Sequence, residues 1–358
     1  MLVLFIIMCG QTRAQERITV AADVLLYGDN TEFRNPFREG ETLFGAAPRV
    51  SMLFDFNART SLQLGIFANT RFGGNRASEL TRPIIALTIQ GARSSFIFGT
   101  LNTPRVAEHG LARRSLGGGG PDRTGPHGLL PPLQVETLAF ERPYENGFQW
   151  MVNRDRVRHD AWLSWQRLNT PEHRERFNAG INTELDSSGW FTIPLQLHVV
   201  HEGGQQFASG PVADSVAAAA GAVLHRRFGH WAGRAELLGL RSRYVPDRER
   251  AERSRTGTGA FARASVEDEA WRAHILFWRG RNFVKAEGDP NYLSLRRTGS
   301  LYGGTRDYAE AGVTRLFRPA PQVRLEVSAR MHRVERHYEY SYRVVAVTAA
   351  RFALKGRP

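Results

Sequence analysis

The sequence predicts an all-β fold, a closed antiparallel transmembrane β-barrel of about 16 strands with one long infolded loop. Three observations carry that prediction. Short segments of period-two alternation recur along the chain. The connections between them sort into tight turns on one side and long loops on the other. No apolar run reaches the about 20 residues that a membrane-crossing helix needs.

Alternation is clearest where Val323, Leu325, Val327, Ala329 and Met331 interleave with Arg324, Glu326, Ser328 and Arg330. Phe177, Ala179, Ile181, Thr183 and Leu185 interleave in the same way with Asn178, Gly180, Asn182 and Glu184. A third case sets Ala260, Ala262, Ala264 and Val266 against Phe261, Arg263, Ser265 and Glu267. Such segments are strands with one apolar and one polar face. A soluble sandwich produces the same alternation, so the connections have to decide.

Strands fall near 17–28, 41–56, 60–72, 82–90, 94–101, 147–153, 158–168, 175–185, 190–200, 215–227, 231–244, 257–266, 270–284, 306–317, 322–334 and 338–354. After even-numbered strands the chain turns tightly, as at Asn57-Ala58-Arg59, Gly229-His230 and Asp268-Glu269. After odd-numbered strands it runs through 29–40, 73–81, 102–146, 169–174, 201–214, 245–256 and 285–305, and only the last such connection is short. That sorting is the signature of an outer-membrane barrel. The physical reason is backbone satisfaction: hydrocarbon offers no hydrogen bonds, so a sheet can cross it only when closed on itself. Apolar faces then meet lipid and charged faces meet the lumen, which reconciles a membrane protein with a mean hydropathy of −0.37. Phe56, Phe72, Trp150, Trp190, Trp231, Tyr244, Phe317 and Tyr338 suit the interfacial girdles.

The apolar run Leu2–Met8 followed by Thr12-Arg13-Ala14 reads as a signal peptide over residues 1–14, leaving one barrel domain over 15–358 and a bacterial outer-membrane destination. Cys9, the single cysteine, lies in that segment, so the mature chain offers no disulfide, zinc–thiolate site or cysteine nucleophile. The 48 basic against 35 acidic residues give +13, nearly all from arginines spread along the chain, with Lys285 and Lys355 as the lysines. That dispersion argues against a nucleic-acid partner. Gly117–Gly120 lacks the strand, helix and lysine of a phosphate loop. His225, His230 and His332 lack metal-ligand spacing and read as solvated lumen or turn residues, so no metal or cofactor is expected. No serine–histidine pairing stands out, and the chain is expected not to be an enzyme.

Connection 102–146 exceeds the about 12–15 residues of an ordinary loop. Its later part, Val135–Glu141, carries apolar residues that need cover. Infolding to narrow the lumen satisfies them, with Glu136 or Glu141 expected to face wall arginines; the alternatives are a surface cap or a hairpin extension above the membrane.

A barrel with a long infolded loop after its fifth strand resembles general bacterial porins. Glu39–Gly45, Phe96–Leu101 and Glu145-Asn146-Gly147 are also similar to uncharacterised porin-like outer-membrane proteins of Bacteroidetes-type bacteria. The resemblance implies passive diffusion of small hydrophilic solutes, preferentially anions. For such a pore the polar strand faces supply Arg234, Arg263, Arg272, Arg324 and Arg330, with Glu236, Glu326, Glu184 and Glu267 as counter-charges, and the long loop adds Arg105, Arg113, Arg114, Glu136 and Glu141. Expected partners are outer-membrane lipid and lipopolysaccharide, small polar or anionic solutes, and a homo-oligomer or envelope complex. The alternative is a non-transporting barrel that serves as scaffold or subunit of an export or assembly complex.

Overall fold

The computed structural model describes residues 17–74, 80–103, 125–204, 206–207 and 210–354. The expected signal peptide therefore lies outside the described residues. Strands β1 (Arg17–Glu32), β2 (Glu41–Asn57), β3 (Thr60–Arg71), β4 (Leu80–Gln90), β5 (Ser94–Thr100), β6 (Asn146–Arg154), β7 (Val157–Arg167) and β8 (Glu175–Asp186) form the first half. The second comprises β9 (Phe191–Gly203), β10 (Ala213–Phe228), β11 (Trp231–Val245), β12 (Arg255–Glu267), β13 (Trp271–Arg281), β14 (Thr305–Ala320), β15 (Val323–Val334) and β16 (His337–Leu354). Every strand pairs antiparallel with its chain neighbours, and β1 closes on β16 in register from Ile18↔Leu354 to Glu32↔Tyr340. This is the closed barrel of 16 strands that the alternation and loop sorting imply.

The faces also fall as the alternation demands. Val327 and Met331 are 39% and 59% exposed on the outside, while Arg324, Glu326 and Ser328 at the alternate positions point inward and are buried. A strand's side chains alternate between faces, so this register leaves no charge of β15 on lipid between Val323 and Met331.

Inward-facing residues change character along the barrel axis. On β11 they run Arg234, Glu236, Leu238, Leu240 and Ser242 from the turn side to the loop side. On β13 they run Arg272, His274, Leu276 and Trp278. The lumen is therefore charged near the tight turns and apolar near the loops, and the apolar half requires cover. Two inserted segments provide it. Leu129, Leu130 and Leu133 of the long loop, and Phe283, Tyr292 and Leu293 from the connection after β13, pack on Trp162, Leu238, Phe261 and Trp278. A second cluster seats Phe140, on the short helix α1 (Leu138–Glu141), against Tyr27, Leu43, Phe67 and Val345. Truncating any of these buried leucines would cost about 2–5 kcal/mol. The inserted segments are thus part of the core. Infolding of the long loop follows the sequence expectation, whereas 285–305 was expected there only as a long connection, with Phe283 inside the strand before it.

Candidate functional site

Where the inserted loop meets β13–β16 and β1, polar side chains converge on a small cavity of about 30 Å³ lined by Asp29, Glu136, Tyr308, His332, Ser341 and Arg343 among others. That is room for about one water. The β15–β16 hairpin builds its wall. Glu335 takes the left-handed conformation (φ 56°) in the turn, and the register it closes pairs Val334 with His337 and Arg330 with Ser341. Both His332 and Ser341 then face inward, 3% and 7% exposed.

Ser341 Oγ lies 2.8 Å from His332 Nε2. His332 Nδ1 lies 2.8 Å from the Tyr308 hydroxyl, which donates to Glu310 Oε2 at 2.6 Å. Proton accounting assigns the tautomer. An ionised carboxylate only accepts, so the single Tyr308 proton goes to Glu310, and Nδ1 must carry the hydrogen shared with the phenol oxygen. Nε2 is left as an acceptor aimed at the serine. Glu310 Oε1 also accepts from His274 Nε2 at 2.7 Å. A nucleophile, a base and an orienting group thus stand in one chain of hydrogen bonds.

Charge surrounds that chain. Glu136 Oε2 accepts from Arg330 Nη1 at 2.9 Å and Arg343 Nη1 at 3.1 Å. Burial pushes the Glu136 carboxyl up, but the two guanidiniums outweigh it and hold it down at about 2. Arg343 in turn grips both oxygens of Asp29 at 3.0 and 3.1 Å. The connection after β1 roofs the cluster. Phe33 stands edge-on to His332 at 4.9 Å, Asn35 donates to Glu339 at 2.6 Å, and Arg38 reaches Asp289 at 2.8 Å. Glu136→Gln would remove the carboxylate that two buried guanidiniums share, weakening docking of the inserted loop by about 3 kcal/mol. Limited proteolysis within 125–145 should detect that release.

A second polar node anchors the loop on the opposite wall. His127 places Nδ1 2.9 Å from Asp160 and Nε2 2.7 Å from Glu145, with its ring stacked 3.7 Å from that of Trp162. Burial disfavours the imidazolium, yet the two carboxylates prevail and raise His127 to about 9. Nearby Glu287 accepts from Arg142 at 2.8 Å and from Gln166 at 2.9 Å. Against the effect of burial, Arg142 above all keeps Glu287 well below the usual carboxylate range.

Of the residues expected to line a pore, Glu136 and Arg330 meet in the cluster. Glu141 sits 4.0 Å from Arg71. The remaining wall arginines form a belt on the turn side, where Arg234 pairs with Glu236 at 3.2 Å, Arg272 with Glu267 at 3.2 Å and Arg324 with Glu326 at 2.6 Å. Arg263 is 7% exposed on the same inward face. Arg105, Arg113 and Arg114 lie outside the described residues. Sequence reasoning missed Ser341 and Tyr308, and it placed His332 in solvent where the structure buries it. The available signal was the tight β15–β16 hairpin, which brings the inward faces of two strands together.

A model of the family described as lipid A 3'-O-deacylase-type matches residues 10–114 and 119–357. That is an enzyme family, and the match overturns the expectation that the chain is not an enzyme. No curated protein matches the sequence. Solved structures share the fold. A loop-deletion mutant of OmpT, an outer membrane protein of Vibrio cholerae, is 10% identical with a TM-score of 0.55, covering 93% of this chain and 99% of its own. An anion-selective porin from Comamonas acidovorans is 9% identical with a TM-score of 0.53, covering 94% and 100%. OccK8 (OprE) of Pseudomonas aeruginosa gives 9%, 0.53, 94% and 98%. The fold is that of porin-like outer-membrane β-barrels.

Proposed function

Since the chain belongs to the lipid A 3'-O-deacylase-type family, we propose that it is an outer-membrane ester hydrolase that removes an O-linked acyl chain from lipid A at Ser341. The observation that carries this reading is the hydrogen-bonded series Ser341–His332–Tyr308–Glu310. Ser341 Oγ attacks the ester carbonyl while His332 Nε2 takes its proton. The tetrahedral intermediate collapses, the C–O bond to the sugar breaks, and His332 returns the proton to the departing alkoxide. Water, deprotonated by the same nitrogen, then attacks the acyl-serine and releases the carboxylic acid. Ester and water become acid and alcohol, with Ser341 restored. Tyr308 and Glu310 hold the imidazole in the tautomer the first step needs. Arg330, the cross-strand partner of Ser341, is a candidate to balance negative charge on the carbonyl oxygen.

Substrate has to displace Phe33 from above His332, so turnover involves movement of the connection after β1. The test is incubation of the full chain with lipid A followed by mass spectrometry. Loss of one acyl chain with appearance of the free fatty acid is expected, and intact lipid A would refute the reading.

A second reading, passive diffusion of small hydrophilic anions, draws on a cavity of about 320 Å³ on the turn side, with Arg49, Asn102 and Arg351 in its lining. Passage would require the inserted segments to leave the lumen. In planar bilayers this reading expects anion-selective conductance at low salt, because fixed guanidinium charge concentrates counter-ions. Arg324→Glu with Arg330→Glu should then move the reversal potential towards cations, and an unmoved potential would exclude it. Both readings place the mature chain in the outer membrane, starting near Gln15, which mass spectrometry of the native protein checks.

A further inference from the structure

Among the described residues, the barrel wall is incomplete between β4 and β7. β5 stops at Thr100 and β6 begins at Asn146, so β4 pairs with β5 only from Ala86 to Gln90. Across the gap, β7 pairs with β6 no further than Ser164↔Gly147. Gly99 pairs with Gly147 where the wall ends; at φ +110° a Cβ there would lie 2.1 Å from the Ile85 carbonyl oxygen. An open sheet edge is costly beside hydrocarbon, and this one is capped by side chains. The Tyr144 hydroxyl donates to the Pro83 carbonyl, Thr100 Oγ1 accepts from the Ile85 N–H at 3.1 Å, and Pro83 itself has no N–H to leave unpaired. The gap is thus a built feature of the wall.

It opens towards the loop side as a notch of about 440 Å³. Three guanidiniums line it. Arg142 and Arg167 are 39% and 40% exposed although each holds a carboxylate, Glu287 and Glu202 respectively. Arg82 is exposed, and among the described residues it has no carboxylate partner. The acid in the lining, Glu145, is turned inward to His127. Apolar side chains form the rim, with Leu168 70% and Trp165 40% exposed beside Leu80. Clustered guanidiniums suit phosphate oxygens, which they can grip through paired N–H donors. A lateral opening edged with Leu and Trp at a membrane boundary suits acyl chains.

We propose that this notch binds a phosphorylated, acylated lipid of the outer leaflet, its phosphate on Arg82, Arg142 and Arg167 and its chains along Leu80, Trp165 and Leu168. The proposal rests on the hydrolase reading for the lipid's role as substrate. The inserted segment runs from Arg142 in the notch through α1 to Glu136 beside Arg330, which links the two places directly.

The test uses the full chain with Ser341→Ala to prevent turnover, and compares binding of bis-phosphorylated lipid A with that of the same lipid dephosphorylated. The phosphorylated form should bind about tenfold more tightly, as two or so charge-assisted contacts imply. Arg82→Gln with Arg167→Gln should erase that difference, while Arg82→Lys with Arg167→Lys should keep part of it. Both arginines are solvent-accessible, and unchanged heat-modifiable migration of the variants confirms the folded barrel. Equal affinity for the two lipids, or a glutamine variant that keeps the preference, would overturn the proposal. So would competition by inorganic phosphate alone at micromolar levels, which would mark a free-phosphate site, or a lipid-free dimer lost in the variant, which would mark an interface between copies. If Ser341→Ala still deacylates while the glutamine pair loses the phosphate preference, the hydrolase assignment fails and the notch stands. The opposite pattern removes the notch alone.

Discussion

Replacing Ser341 with Ala should lower acyl-chain release from lipid A by about a thousandfold or more, corresponding to about 4 kcal/mol of transition-state stabilisation. The hydroxyl lies 2.8 Å from His332 Nε2, the ring nitrogen left to accept its proton once Nδ1 carries the hydrogen shared with Tyr308. His332→Ala should cost as much, and the double variant little more, because nucleophile and base act as one unit. Tyr308→Phe separates orientation from chemistry. It removes the hydroxyl that fixes Nδ1–H, and a loss of about tenfold in kcat with KM unchanged is expected. Equal activity of Ser341→Ala and the unsubstituted protein would eliminate this serine as the nucleophile.

The second large effect concerns the inserted loop. His127→Ala should free segment 125–145 from its wall, since Glu145 and Asp160 would lose the cation between them, at a cost of about 3 kcal/mol. The pH dependence has a definite sign. His127 holds its proton to about 9 when docked, against the ordinary 6.5 of an imidazole. Its contribution is therefore complete below about pH 6.5 and is lost as pH rises through about 9. Lys285 runs the other way. Burial pushes it down from 10.5 to about 7, with Glu287 opposing, so its penalty fades as pH rises across that interval. The His127 limb is best read as the difference between the unsubstituted protein and His127→Ala. Protease cleavage within 125–145, followed from pH 6 to 10, should accelerate in the former and show no such limb in the latter. Identical profiles would rule out His127 as the latch.

Much of the candidate site was legible in part. Glu136 and Arg330 are an acid on an apolar loop segment and a cation on a polar strand face, and infolding brings them to 2.9 Å. The inward face of β11 carries its own warning, since it changes from Arg234 and Glu236 to Leu238 and Leu240. Read with β12 and β13, that change marks a docking surface inside the barrel. Reading each strand face as uniformly polar concealed it. Ser341 and His332 were harder to see because neither neighbours the other in sequence. Their meeting depends on a register set by the turn at Glu335 and on Tyr308 arriving from a third strand.

The sequence by itself determined the strands, their lipid-facing residues and their closure into a barrel. These follow from a period of two and from loop lengths, both properties of consecutive residues. Tertiary structure alone decided that the loop-side half of the lumen is filled and that, among the described residues, the wall is notched between β4 and β7. Each of those depends on residues far apart in the chain, and their energies reside in burial and hydrogen bonding that exist only once the barrel has closed.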